Sequence, residues 1–252
     1  TINSDHYVRD EKEFIRIVTM GGRLAKKYPE YTVLIGINPT FPATGYGYIK
    51  MSNLFTKIGK DQIFRAQKFV EKPSLIKAKR YLRNWQYLWN PAYFIWRVDK
   101  LLGLYKKYLP EMYQRLKLIE KSLGSSQEEK ILRKEFSRIK PISIDYGIME
   151  KTDKMLVIPA NFGWADVGDW QVIKNILSKS EEENVTRGRH IGVDSSGNLI
   201  YSLTGKLITT LGVRNMIIVE TEDAVLICPK DRAQEIKKII EKLKEEKLDE
   251  YL

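Results

Sequence analysis

The stretch Gly163-Trp164-Ala165-Asp166-Val167-Gly168-Asp169-Trp170 sets a carboxylate among two glycines and two tryptophans. Glycines let the backbone turn sharply and let another molecule approach closely. Indole rings are large enough to anchor such a loop against a packed wall. An acid held this way is a hard oxygen donor suited to Mg²⁺, and Mg²⁺ usually brings phosphate with it. A tight turn with a solvated acid fits the same residues equally well. The segment needs company before it means chemistry.

Company is present. Asp5 stands in Asn3-Ser4-Asp5-His6, Glu71 and Lys72 precede Pro73, and Asn90 precedes Pro91. Thr44-Gly45-Tyr46-Gly47-Tyr48 adds glycines and rings in alternation. Each has a plain reading as well. Asp5 fits an ordinary acid at a helix N-terminus, and Glu71-Lys72 fits a solvated strand end. Tyr46 and Tyr48 could stack on a ligand, with core packing the role of at least one of them.

These residues need a scaffold, and the periodicity predicts one. Residues 11–27 read as a helix, 31–37 as a strand, and 40–48 as a loop punctuated by proline and glycine. A strand over 66–71 precedes a helix that Ser74 caps. A strand over 93–98 leads to helices over 99–108, 111–123 and 128–139. Asp145 caps a helix over 146–151, a strand covers 155–159, and a helix covers 169–178. Alternation of this kind predicts an α/β layered domain over 1–178. The polar segment 178–189 then reads as a linker. Short β-rich runs at 190–193, 199–203, 207–211, 216–220 and 224–229 predict a small β unit within 185–252. An amphipathic helix over 231–250 closes the chain, its Ile236, Ile239, Ile240 and Leu243 face expected to pack on that unit.

Composition excludes several classes. At 252 residues with 43% hydrophobic and 30% charged content, the chain can bury a sizeable core. No apolar run approaches a membrane span, so no membrane partner is expected. One cysteine forms no intrachain disulfide and two histidines are too few for a typical zinc site, which points to a reducing, cytoplasmic compartment. The net charge of +11 is spread among acids, with no block of like charge and no nucleic-acid-binding signature. Nucleic acid is therefore not an expected partner.

Six strings occur in one order: Asn3-Ser4-Asp5-His6, Thr44-Gly45-Tyr46-Gly47-Tyr48, Phe69-Val70-Glu71-Lys72-Pro73, Trp89-Asn90-Pro91-Ala92-Tyr93-Phe94, Ser143-Ile144-Asp145-Tyr146 and the tryptophan-flanked turn. The series resembles the sugar-1-phosphate nucleotidyltransferases, most closely the mannose-1-phosphate guanylyltransferases. The resemblance covers the chain from Asn3 to about Leu177, and the β-rich tail looks like that family's C-terminal region. It implies a Rossmann-like sheet, incomplete at its N-terminal side, with a small β-rich unit and a terminal helix. It also implies an enzyme that makes GDP-mannose and pyrophosphate from GTP and mannose-1-phosphate. On this resemblance Asp5 and Asp166 are the catalytic acids that hold Mg²⁺, Asp5 at the end of a central strand. Lys72 meets the sugar's phosphate, Glu71 and Asn90 contact sugar hydroxyls, and Gly47 lets the sugar lie on the backbone.

Two departures qualify that reading. The family commonly has proline before Ser-Asp-His, and glycine where this chain has Ala92, which leaves the exact sugar open. The family's glycine-rich triphosphate loop has no counterpart in residues 1–252. These residues alone are thus expected to carry the sugar-phosphate and metal half of the site and to be inactive in nucleotidyl transfer. Other sugar-1-phosphates, or a non-catalytic regulatory paralogue that binds a sugar nucleotide, are the alternatives. A homodimer through the β-rich tail is the one assembly the resemblance suggests.

Overall fold

The computed structural model describes residues 1–252. In chain order the first elements are β1 (His6–Val8), α1 (Glu11–Lys27), β2 (Thr32–Ile37), β3 (Gly47–Ile58) and β4 (Asp61–Val70). Then come α2 (Leu75–Leu82), β5 (Tyr87–Asn90), β6 (Phe94–Ile95), α3 (Val98–Tyr108), α4 (Pro110–Ser122) and α5 (Glu128–Phe136). A π-helical turn spans Asp145–Met149, followed by β7 (Met155–Ala160) and β8 (Trp164–Asp166). The remaining elements are α6 (Trp170–Leu177), β9 (Val185–Arg187), β10 (Arg189–Val193), β11 (Leu199–Ser202), β12 (Leu207–Leu211), β13 (Met216–Glu220), β14 (Val225–Pro229) and α7 (Ile236–Glu245). No helix is long and apolar enough to cross a membrane.

The chain forms two compact units. One comprises residues 1–4 and 8–164, the other residues 5–7 and 165–252. The first is built on a six-stranded mixed sheet in the order β5-β3-β4-β7-β2-β6, in which β2 and β7 run parallel. Burial on both faces explains the unbroken apolar runs of β2 and β7. Val33, Ile35 and Ile158 face the side covered by Ile17 and Leu24 of α1. Leu34 and Val157 face the opposite side, with Leu104, Ile148 and Met149. Asp10 caps α1 by accepting from the Glu13 N–H, a role that removes the helix-cap alternative for Asp5.

The expectations fail where local pattern was weak. The long β3 was not predicted: its register with β4 shifts three times between Lys50 and Thr56, and its second half is largely exposed, so strict alternation is lost. The predicted strand 93–98 shrinks to Phe94–Ile95, and the neighbouring strand is β5. Ser74 stands at the N-cap of α2 without a side-chain cap bond. Asp145 does not cap an α-helix. It opens a π turn closed by the Glu150 N–H donating to the Asp145 carbonyl at 2.9 Å.

The second unit stacks short strands. β9, β11 and β13 run parallel and β14 closes the sheet antiparallel, in the order β14-β13-β11-β9. β10 and β12 form a separate parallel pair. Leu199, Ile217, Val219 and Cys228 fill its interior, packed against Trp170 and Ile236. Asn198 is fully buried at a corner between rungs, donating to Asn184 Oδ1 and the Val213 carbonyl and accepting from the Met216 N–H. Asp169 caps α6 by accepting from the Val172 N–H. Lys174 on α6 is 1% exposed, its Nζ donating to the Glu181 carbonyl at 2.8 Å and the Ser180 carbonyl at 3.4 Å. The terminal helix corrects another expectation. α7 spans fewer residues than predicted, and of its expected face Ile236 packs on the unit's interior while Ile239 and Ile240 stay exposed.

Candidate functional site

In the first unit, strand ends gather one polar cluster. Gly47 opens β3 and Asn90 ends β5, and these two residues pair directly across the sheet. Glu71 follows the last residue of β4. A Cβ on Gly47 would lie 2.4 Å from Glu71 Oε2 and 3.3 Å from the Asn90 Cβ. A side chain there would have to push the Glu71 carboxylate out of its place. The glycine leaves room for the Glu71 carboxylate itself, in addition to any ligand.

Hydrogen bonds fix the cluster's orientation. Asn90 Oδ1 accepts from the Ala92 N–H at 3.0 Å, and Asn90 Nδ2 donates to Asp145 Oδ1 at 3.5 Å. Glu150 accepts from the Glu71 N–H at 3.0 Å. Lys72 and Ala92 hold positive φ values of 43° and 56°, conformations that non-glycine residues adopt only when surrounding structure enforces them. Burial, then the charges of Asp145 and Glu150, push the Glu71 carboxyl up to about 7, against the opposing pull of Lys72. Burial likewise raises Asp145. Lys72 is exposed beside these half-buried acids.

An aromatic wall adjoins the cluster along the chain. Tyr46, next to Gly47, packs edge-on against Trp89, next to Asn90, and against Trp164. Phe41, nearly half exposed, meets Trp89 edge-on at 4.8 Å. Tyr48 is fully buried and donates to the Ala43 carbonyl, so of the two tyrosines Tyr48 is the core residue. Gly163 confirms its expected role: its φ is +65° and a Cβ would meet the Arg9 Cβ at 2.6 Å. Gly168 does not, since its φ is not positive and a Cβ would make only ordinary contact with Asp166 Oδ1.

The second unit holds the two acids assigned to a metal. Asp5 immediately precedes β1 and Asp166 ends β8, and these two strands are hydrogen-bonded neighbours. Both carboxylates pull the His6 pKa upward, while burial, the larger effect, lowers it. Both acids therefore act on one imidazole. Asp5 does not stand at the end of a central strand, because β1 lies outside the six-stranded sheet. No group of three or more acid, histidine or cysteine side chains is arranged to enclose an ion. Two carboxylates fit Mg²⁺, which keeps several waters and needs only one or two protein acids.

The structure thus brings together Gly47, Glu71, Lys72 and Asn90 in one unit, and Asp5 with Asp166 in the other. Asp145 and Glu150 carry no predicted ligand role, yet both border Glu71. For Asp145 the signal was present in the Ser143-Ile144-Asp145-Tyr146 string, which shows no role until the π turn folds it toward Asn90; Glu150 had none.

Comparison with known proteins gives two family matches. The nucleotidyl transferase profile matches residues 1–183, and a MannoseP isomerase/GMP-like beta-helix domain matches residues 188–243. A mannose-1-phosphate guanylyltransferase of Salmonella montevideo is 35% identical over 99% of this chain and 53% of its own length. A mannose-1-phosphate guanylyltransferase of Escherichia coli is 34% identical over 96% of this chain and 50% of its own. The chain spans about half the length of these curated relatives. A crystal structure described as mannose-1-phosphate geranyltransferase from Thermus thermophilus superposes with a TM-score of 0.82 at 32% identity. That superposition covers 96% of this chain and 68% of the other.

Proposed function

The chain belongs to the nucleotidyl transferase family, and from that premise we propose that it serves mannose-1-phosphate guanylyl transfer, contributing the residues that bind the sugar phosphate and Mg²⁺. The observation that carries this reading is the convergence of Gly47, Glu71 and Asn90, with Lys72 beside them, at adjoining strand ends.

Each group has a definite task. Lys72 offers a compact ammonium to the phosphate of mannose-1-phosphate. Glu71 accepts from sugar hydroxyls, and Asn90 donates to one, because its oxygen is already engaged by the Ala92 N–H. In the reaction, a phosphate oxygen of the sugar attacks the α-phosphorus of GTP in line. The new O–P bond forms as the bond to the β-phosphate oxygen breaks, and GDP-mannose and pyrophosphate result. Asp5 and Asp166 would hold Mg²⁺, which supplies charge neutralisation for the phosphates. The protein's share is positioning, which phosphoryl transfer needs more than covalent help.

Calorimetry with residues 1–252 tests the sugar-phosphate assignment. Mannose-1-phosphate is expected to bind, and mannose without its phosphate much more weakly. Lys72→Ala should weaken mannose-1-phosphate about 10- to 100-fold, the range for losing a charge-assisted hydrogen bond. Unchanged affinity in K72A would show that Lys72 does not meet the phosphate.

A further inference from the structure

Asp145 has no task in the scheme above, yet it accepts from Asn90 and its charge acts on Glu71. Its Oδ1 receives the Asn90 amide at 3.5 Å, while the other end of that amide is fixed by the Ala92 N–H at 3.0 Å. An amide with both ends engaged cannot flip. One of its two N–H donors remains for a ligand. The charged groups facing Glu71 are Lys72 on its own segment and Asp145 and Glu150 from the π turn, with neutral Asn90 and Gly47 from β5 and β3. Glu150 is committed to the Glu71 backbone N–H. Asp145 is half-buried, so its charge is poorly screened.

We propose that Asp145 is a positioning residue for sugar binding: it holds the Asn90 amide with one N–H turned to the ligand, and its charge beside Glu71 couples the binding of sugar hydroxyls there to proton release. The second part follows from the electrostatics of crowded acids. Two half-buried carboxyls close enough for their charges to interact do not both ionise readily near neutrality. Burial first, and then the Asp145 charge, push the Glu71 carboxyl up to about 7, which disfavours its ionised form in the empty site. Sugar hydroxyls that donate to Glu71 stabilise the ionised form, so binding releases the proton to solvent. Holding Glu71 neutral until the ligand arrives avoids a repelled, unsolvated charge in the empty site.

This inference rests on the sugar-phosphate reading, and the test separates the two. Mannose-1-phosphate is titrated into the protein near pH 7 in two buffers of different ionisation enthalpy, which counts protons released. In parallel, the Glu71 carboxyl carbon is followed by NMR across pH without ligand. Wild type is expected to release a fraction of a proton and to show a Glu71 midpoint near neutrality. Asp145→Asn should lower that midpoint by about one unit and release fewer protons, while its side-chain oxygen can still accept from Asn90. Asp145→Glu keeps the charge while moving the oxygen away from Asn90. It should retain the high midpoint and the proton release but lose affinity. A purely structural Asp145 would lower affinity in both variants without moving the titration, and that result overturns the proposal. Wild-type affinity in D145E overturns it as well. Absence of mannose-1-phosphate binding by the wild type, with Glu71 still titrating near neutrality, overturns the functional reading and the ligand part of this proposal together.

Discussion

The two compact units treat a glutamate in opposite ways. Glu220, at the end of β13, is 4% exposed and accepts from Ser202 Oγ at 2.6 Å, Thr204 Oγ1 at 2.7 Å and Lys206 Nζ at 3.1 Å. Those donors, led by Ser202, hold its carboxyl at about 2. Glu71 meets burial and two like charges, with Lys72 as its only supporting charge and no hydrogen bond to its carboxylate. A carboxylate whose lone pairs are all taken is a structural tie. One whose lone pairs are open is available to something that arrives later. The contrast separates a functional acid from a buried acid of the same type better than burial does.

The largest effect that could break this contrast is on binding. Glu71→Gln should weaken mannose-1-phosphate about 10- to 100-fold, because an ionised acceptor is lost. Glu220→Gln should leave that affinity unchanged in the same calorimetric titration. Equal losses in both would erase the distinction. Next in size is thermal stability. Glu220→Gln strips the negative charge from three donors, and differential scanning calorimetry should show a clearly lower Tm. Glu71→Gln should hold or raise Tm above pH 7, since it removes a carboxylate that is repelled when ionised.

Proton linkage sharpens the comparison further. A depressed carboxyl adds stability above its unfolded pKa and loses it as pH falls, so the Glu220 contribution should fade between 4.5 and about 2. A raised carboxyl works in reverse, so the Glu71 contribution should fall as pH rises from 4.5 to about 7. Tm measured against pH should show a shallower acid slope in E220Q, where Glu235 and Asp61 still contribute, and a shallower fall toward neutrality in E71Q. Opposite assignments of those slopes would refute the pairing. The smallest effect is expected at Ala92, whose φ of 56° costs a methyl-bearing residue about 1 kcal/mol. Ala92→Gly should recover a comparable amount in a denaturant midpoint, and a destabilised variant would mean the strain is absent.

Much of this was legible in the sequence where one element's own pattern sufficed. α1 matches its predicted bounds because apolar spacing and an Asp10 cap act within a single helix. β12 and β13 match because turns on both sides delimit them. β3 was hidden because its alternation breaks at register shifts, which only its partner β4 explains. The candidate site was half legible. Glu71, Lys72 and Asn90 stand in recognisable strings, but Asp145 acquires its role through an i to i+5 turn that no side-chain pattern announces. The apolar stripe of the terminal helix predicted burial, yet only Ile236 packs on the unit's interior while Ile239 and Ile240 stay exposed, since periodicity specifies a face without specifying what covers it.

Lys174 makes the second unit a clock. It is the one lysine among the chain's buried residues, and its amine is bound to the carbonyls of residues 180 and 181. An amine-directed acylating reagent reaches it only after α6 parts from that segment and the ammonium sheds its proton. Its slow labelling, timed by mass spectrometry against rapidly modified surface lysines such as Lys238, would report how often this corner opens while the rest of the molecule stays folded.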